Sequence, residues 1–305
     1  MAAGRGAATL GLVSETEQIG RYEIRRVIAR GGNSSVYEAW DPKRERAVAL
    51  KFLSPEDIGE GKSNIARFKR EARALADLAH PNVIALLGGG EAAGGAYIVM
   101  ELLHGKTLRE WLAAHPVSSR VVDVMRQVGE GLAAAHDAGM VHRDVKPENV
   151  MIEADGRVCV LDFGLAKGGA ATASESAPIV EGWSSVNHTP LSRLTEPGSV
   201  LGTIEYMAPE QHLGGVANAR SDQFSYCVTF YEALFGKRPF DGADVGKILR
   251  AMGQGAPPRP PRPAAIDHRG YRALARGMSV DPPSRWPSMS VLLRELAGVD
   301  PTFEF

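Results

Sequence analysis

The stretch from Val141 to Gly164, VHRDVKPENVMIEADGRVCVLDFG, constrains this chain more than any other. Val150–Ile152 and Val158–Leu161 are short apolar runs, and the segment between them carries Asp155-Gly156. That pair signals a hairpin turn, because glycine tolerates positive φ. Folding about it puts Asn149 and Asp162 equidistant from the turn, so they are expected to face each other across the ladder. Such partners have Cα atoms about 4.5–5.5 Å apart. An amide oxygen and a carboxylate at the mouth of one hairpin begin an oxygen-ligand site for Mg²⁺. Asp144, upstream of Asn149, brings a second carboxylate, and Lys146 lies between them as a counter-charge. Two acids, an amide and a lysine on one short turn point to phosphate chemistry.

Composition narrows the setting. The chain has 305 residues, 44% hydrophobic and 23% charged, as globular proteins do. Its 35 basic and 36 acidic residues give a formal charge of −1. Neither nucleic acid nor an anionic membrane is therefore an expected partner. Two cysteines, Cys159 and Cys227, argue against a disulfide-stapled scaffold and for a cytoplasmic protein. No apolar run approaches the ~18 residues of a membrane span, so no membrane anchor is expected. Residues 1–20 read as a flexible leader and 298–305 as a short tail.

His142-Arg143-Asp144 with Lys146 and Asn149, followed by Asp162-Phe163-Gly164, resembles the catalytic and magnesium loops of eukaryotic-type (Hanks-type) protein kinases. The resemblance covers residues 21–297, and its flavour, including Gly236-Lys237-Arg238-Pro239-Phe240, is that of bacterial serine/threonine kinases. It implies a bilobal α+β fold. A small antiparallel β-lobe with one helix (21–101) would join a larger, mainly helical lobe (104–297), with ATP in the cleft.

The glycine-rich loop has its counterpart in Ile28-Ala29-Arg30-Gly31-Gly32-Asn33-Ser34-Ser35-Val36, where the family wants Gly-x-Gly-x-x-Gly. Ala29 and Ser34 stand at the outer two positions, and only Gly31 of the three glycines remains. Ser34 limits how closely backbone can approach a nucleotide. A pseudokinase with weak nucleotide binding is accordingly the alternative reading.

The apolar run Ala47–Leu53 reads as a buried strand with one charge, Lys51, which is costly to bury unless paired. By resemblance Lys51 holds the α- and β-phosphates and pairs with Glu71. That acid lies on a helix with Ser63 as N-cap and Ile65, Phe68, Ala72, Leu75 and Leu78 at helical spacing. Two strand-like runs follow, Val83–Leu87 and Ala96–Leu102. By resemblance Met100 guards the back of the adenine pocket, backbone groups of Glu101 and Leu103 bond the adenine edge, and Ala49, Val36 and Met151 join the ATP set.

Helical periodicity takes over at Leu108–Ala114 and Val117–Ala138, the latter closed by Gly139. Residues 167–200, rich in small and hydroxyl residues, occupy the activation-loop position. Thr195 is singled out there as a phosphorylation site whose phosphate would pair with Arg143. Gly202-Thr203 to Ala208-Pro209-Glu210 resembles the substrate-docking segment, with Arg285 as the buried partner of Glu210. Asp222 begins an apolar helix through Phe235 and by resemblance braces the catalytic loop. Pro257–Pro263 reads as a loop between late helices, and helices are expected near Tyr271–Met278 and Ser288–Ala297.

The resemblance implies transfer of the γ-phosphoryl of ATP to serine or threonine hydroxyls of protein substrates. Asp144 would take the substrate proton, Lys146 would neutralise the transferring group, and Asn149 and Asp162 would hold Mg²⁺, with Mn²⁺ as a substitute. His142 would be a backbone-bonding residue rather than a base. Autophosphorylation of the loop is expected, and a homodimer for phosphorylation in trans is left open.

Overall fold

Strand β4 shows why the first part of the chain becomes a sheet. In this computed structural model, residues 18–30, 34–54, 62–92, 95–114, 116–163, 204–260 and 266–297 are described, with backbone alone for 62–68. Gly31, Gly32, Asn33, the side chains of Ser63, Ile65 and Phe68, and residues 164–203 with Thr195 and Thr203 lie outside them. Strands β1 (Gln18–Ile19), β2 (Tyr22–Arg30), β3 (Ser34–Asp41), β4 (Arg46–Leu53), β5 (Leu86–Ala92) and β6 (Gly95–Glu101) form an antiparallel sheet in the order β1-β2-β3-β4-β6-β5. Because strand side chains alternate, β4 buries both faces. Val48 and Leu50 join Tyr22, Ile24, Ala39 and Val99 on one side, while Ala49 and Leu53 join the larger core on the other. Lys51 shares the second face.

Helix α1 (Lys62–Asp77) packs on β5 through Ala72 and Leu75. The strand expected at Val83–Leu87 instead begins at Leu86. Its first residues are taken by the catalytic hairpin: Val83 bridges Val160, Ile84 N–H donates to the Val160 carbonyl at 3.1 Å, and Val160 N–H to that of Asn82 at 2.9 Å.

The second lobe starts with β7 (Gly105–Thr107) and α2 (Leu108–Leu112). Thr107 and Glu110 cap α2 reciprocally, each side chain serving the other's backbone N–H. The helix expected through Ala114 ends at Leu112, its last turn tightened by Ala114 N–H to Trp111 O at 3.2 Å. Helix α3 (Ser118–Asp137) ends with Gly139 at φ +75°; Met140 N–H reaches Ala135 O and Gly139 N–H reaches His136 O, both at 2.9 Å. This left-handed cap turns the chain sharply into the loop at His142. Helix α4 (Pro209–His212) precedes α5 (Ala219–Phe235), which is buried on nearly every side from Ser221 to Tyr231 and forms the post of the lobe. Asn218 caps its start and Gly236 its end. Helices α6 (Val245–Gly253), α7 (His268–Gly277) and α8 (Met289–Ala297) complete the lobe. Among the described residues, no helix is long and apolar enough to cross a membrane.

Strands β8 (Val150–Glu153) and β9 (Val158–Val160) join β7 in a three-stranded sheet. Their register pairs Val150 with Val160 and Ile152 with Val158, and Leu161 N–H donates to Asn149 O at 2.8 Å. Asn149 is therefore opposite Leu161, not Asp162 as the symmetric turn predicts. The turn is a three-residue loop, with Glu153 N–H bonded to Arg157 O at 2.9 Å and Gly156 at φ +90°. Its odd length displaces the register by one residue.

Candidate active site

The loop from His142 to Asn149 is fixed from below. Asp222, 1% exposed, accepts backbone N–H groups of His142 at 2.7 Å and Arg143 at 2.8 Å, and its Oδ2 also meets His136 Nε2 at 2.9 Å. The ring of His142 is equally committed. Nε2 lies 2.6 Å from the Leu161 carbonyl, which can only accept, so Nε2 carries the proton and Nδ1 accepts Asp144 N–H at 3.2 Å. Burial lowers this imidazole's pKa, in keeping with a neutral ring. With both nitrogens bonded to backbone, His142 is a structural residue of the loop.

Above that support the chemistry-bearing groups converge. The Lys146 ammonium lies 2.8 Å from Asp144 Oδ2. Asn149 Nδ2 donates to the Asp144 carbonyl at 2.8 Å and to Oδ2 at 3.1 Å. Its amide nitrogen is thereby spent on Asp144, which leaves the amide oxygen as the atom that a metal could use. Lys51 crosses from the β-sheet to Asp162, with Nζ 2.8 Å from Oδ1. Two non-glycine residues here hold positive φ, Arg143 at +68° and Asp162 at +51°, an expense usually met where a side chain must be aimed.

The donor set suits a divalent metal. One carboxylate of Asp162 and the amide oxygen of Asn149 are hard oxygen ligands. Mg²⁺ is commonly held by one or two protein oxygens, with phosphates and water filling the other positions. Among the described residues no cluster of three acidic, His or Cys ligands offers a dedicated metal cage.

The sheet register gathers residues that the family resemblance assigns to the nucleotide. Val36 pairs with Lys51 and Ala49 with Met100, so all four share one face. Ala29 and Arg30 end β2, Ser34 starts β3, and Ile28 is 42% exposed above them. Glu101 closes β6, followed by Leu102 and Leu103 as the connection between lobes, and Met151 lies on β8.

One expected pair is not formed. Lys51 meets Asp162, and Glu71 turns instead to Arg143, 3.8 Å from Oε1 to Nη2. The expected pair Glu210–Arg285 is present and bidentate, at 2.7 and 2.8 Å. The remaining Arg285 donors reach carbonyls of Ser279, Arg220 and Val280, while Ser221 Oγ donates to Glu210 at 2.7 Å. Burial alone would raise the Glu210 carboxyl, but the guanidinium and hydroxyl outweigh it and hold the pKa below the usual glutamate value.

Two networks were not anticipated from sequence. Arg109 on α2 binds Glu148 at 2.8 Å, Glu232 at 2.9 Å and the Tyr206 hydroxyl, which donates to Glu232 at 2.6 Å. Arg157, after the hairpin turn, binds Glu101 at the lobe connection. Both arginines sit in ordinary polar segments, and no spacing rule marks them. His136 did carry a signal, being a basic residue in the last turn of α3.

Comparison with known proteins places this geometry. Residues 22–295 match the family model described as protein kinase domain. Serine/threonine-protein kinase PknA of Mycobacterium tuberculosis is 40% identical over 287 residues, spanning 92% of this chain and 61% of that protein. Serine/threonine-protein kinase PknE of the same species is 36% identical over 278 residues, 89% of this chain and 45% of that one. The chain thus spans about half the length of these relatives. The crystal structure of the M. tuberculosis PknI kinase domain superposes with a TM-score of 0.67 at 23% identity, covering 95% of this chain and 100% of that domain. By its matched segment and its relatives, the chain belongs to the protein kinase family, in the Hanks-type bacterial serine/threonine branch.

Proposed function

We propose that the chain transfers the γ-phosphoryl group of ATP to serine and threonine hydroxyls of protein substrates, with residues 21–297 as the catalytic unit. The observation that carries this reading is the Asp144–Lys146–Asn149 constellation, held within 2.8–3.1 Å on a loop strapped to Asp222.

Asp144 accepts the proton of the substrate hydroxyl as its oxygen bonds to the γ-phosphorus and the bond to the β-phosphate oxygen breaks. Lys146, already beside that carboxylate, neutralises negative charge on the transferring group. Lys51 reaches the α- and β-phosphates from the sheet. Asn149 and Asp162 would hold Mg²⁺, or Mn²⁺ in its place; the metal supplies charge neutralisation on the phosphates. The protein's part is positioning and electrostatics, and enzymes of this type turn over at about 1–100 s⁻¹.

Two buried free cysteines support action in the reducing cytoplasm. Thr195 is the proposed autophosphorylation site, with Arg143 as the phosphate's partner. If two copies phosphorylate each other, the initial rate per molecule rises with protein concentration.

The test is intact-mass spectrometry after incubation with Mg-ATP, beside Asp144→Asn. Phosphate-sized mass steps in the wild type alone support the reading, and peptide mapping locates them. Equal spectra, with an added serine/threonine protein substrate also unmodified, overturn it.

A further inference from the structure

The guanidinium of Arg157 gathers three segments that meet behind the nucleotide cleft. Its Nε–H donates to the Pro81 carbonyl at 2.9 Å, in the turn after α1. Its two terminal nitrogens each bond one oxygen of Glu101 at 2.8 Å, a bidentate pair at the lobe connection. Nη1 also reaches Glu153 at 3.3 Å. The other oxygen of Glu153 accepts His104 N–H at 3.2 Å. Glu101 is further fixed by Ala85, whose N–H donates to its carboxylate at 2.9 Å and whose carbonyl accepts its N–H at 3.0 Å.

The connection 102–104 is therefore clamped at both ends to a single hairpin. Glu101 is held through Arg157 and His104 through Glu153. That hairpin is β8–β9, whose open end carries Asn149 and Asp162. A planar fork with its donors in fixed directions suits this task, because it sets angle as well as distance.

We propose that Arg157 is a positioning residue for the nucleotide, setting the lobe connection against the hairpin that presents Asn149 and Asp162. The proposal rests on the kinase reading above in that the ligand positioned is Mg-ATP. Arg157 acts through Glu101 and touches no reacting atom. With the clamp in place, the backbone groups of Glu101 and Leu103 that meet the adenine edge keep a fixed offset from the ligands of the phosphate end. Without it, each nucleotide bound must first restrict the connection, which weakens binding before it affects chemistry.

The test compares wild type with Arg157→Leu, Arg157→Lys, Glu101→Gln and the double variant R157L/E101Q. Equilibrium Mg-ATP binding, melting temperature, and KM for ATP and for protein substrate are read for each. Arg157→Leu is expected to raise the Kd and KM for ATP about tenfold, equivalent to 1.4 kcal/mol. Its kcat at saturating ATP and its KM for protein substrate should move less than about threefold by the same measure. Lysine, lacking the fork, should restore little. In the E101Q background, removing Arg157 should add less than about twofold, because the two residues act as one unit.

An unchanged ATP Kd in Arg157→Leu overturns the proposal. So does a uniform loss of kcat and both affinities alongside a lowered melting temperature, which marks a purely structural bridge. If the wild type binds Mg-ATP but phosphorylates nothing, the kinase reading fails while the Kd comparison still decides the role of Arg157. If the wild type binds no Mg-ATP, both fall.

Discussion

Lys51 holds Asp162 at 2.8 Å while Glu71, the acid expected to brace Lys51, lies 3.8 Å from Arg143. Lys51 and Glu71 are thus paired differently from the arrangement the family resemblance implies. Among the described side chains of α1, Leu75 is fully buried and Glu71 is only partly buried. If Glu71 moves onto Lys51 during turnover, Glu71→Gln should lower kcat/KM about 100-fold, the scale of a positioning loss. Stability should change by less than about 1 kcal/mol, because the pair it leaves is long and partly exposed. Unchanged kcat/KM would show that Glu71 is an ordinary helix charge.

Asp222 makes the catalytic loop and α5 one object. Replacing it with alanine orphans the buried N–H groups of His142 and Arg143 and the bond to His136. At about 1–3 kcal/mol for each unsatisfied buried group, a total of about 3 kcal/mol or more is expected. Asp222→Asn keeps one acceptor oxygen and should cost less. Urea midpoints at constant m give the answer, and equal midpoints for all three proteins would refute the role.

The legible part of this fold was local. The short apolar run Ala47–Leu53 announced a buried strand, and Gly139 announced the end of α3, because hydrophobic pattern and cap chemistry act over a few residues. The catalytic hairpin was legible in existence but not in register: Asp155-Gly156 admits both a two-residue and a three-residue loop, and the structure uses the second. Asp222 and Arg285 were placed through the family pattern, since nothing in their neighbourhoods shows what they bind. Arg109 and Arg157 were missed for the same physical reason. Their partners lie up to 123 residues away, at Glu232, or across the lobe connection, at Glu101. Long-range pairing of a single charge leaves no periodic trace.

The Glu210–Arg285 pair gives stability a pH dependence of predictable sign. The folded carboxyl titrates below its ordinary value of about 4.3, so its contribution is complete above that pH and is lost as pH falls through the lower folded value. Stability should therefore decline below pH about 4, with a shallower decline in Glu210→Gln. Arg285→Met should cost about 3–5 kcal/mol at neutral pH by leaving a buried charge unpaired. In that variant the carboxyl's pKa rises above the ordinary value, and the sign of this contribution reverses, so acidification recovers stability. Denaturant titrations of the three proteins between pH 3 and 7 decide it, and parallel curves would rule out the linkage.

Arg109 offers the counterpart to Arg157 on the substrate side. Its guanidinium ties Glu148, in the catalytic loop, to Glu232 on α5 and to Tyr206, one residue short of the Ala208-Pro209-Glu210 segment. Removing it leaves the Glu232 carboxylate, 12% exposed, with the Tyr206 hydroxyl as its remaining partner in this network. Arg109→Met preserves the apolar stem and should cost about 1–3 kcal/mol of stability, the range for a partner lost from a buried charged group. More telling is the kinetic split. Tyr206 lies shortly before the segment that resembles the substrate-docking loop and Glu148 lies in the catalytic loop, whereas Glu101 lies at the lobe connection that the resemblance assigns to the adenine. Arg109→Met should raise KM for protein substrate severalfold and leave KM for ATP within about twofold, the inverse of Arg157→Leu. If both variants raise the same constant, the two networks do not divide the labour between substrates, and the assignment of Arg109 to the docking side is wrong.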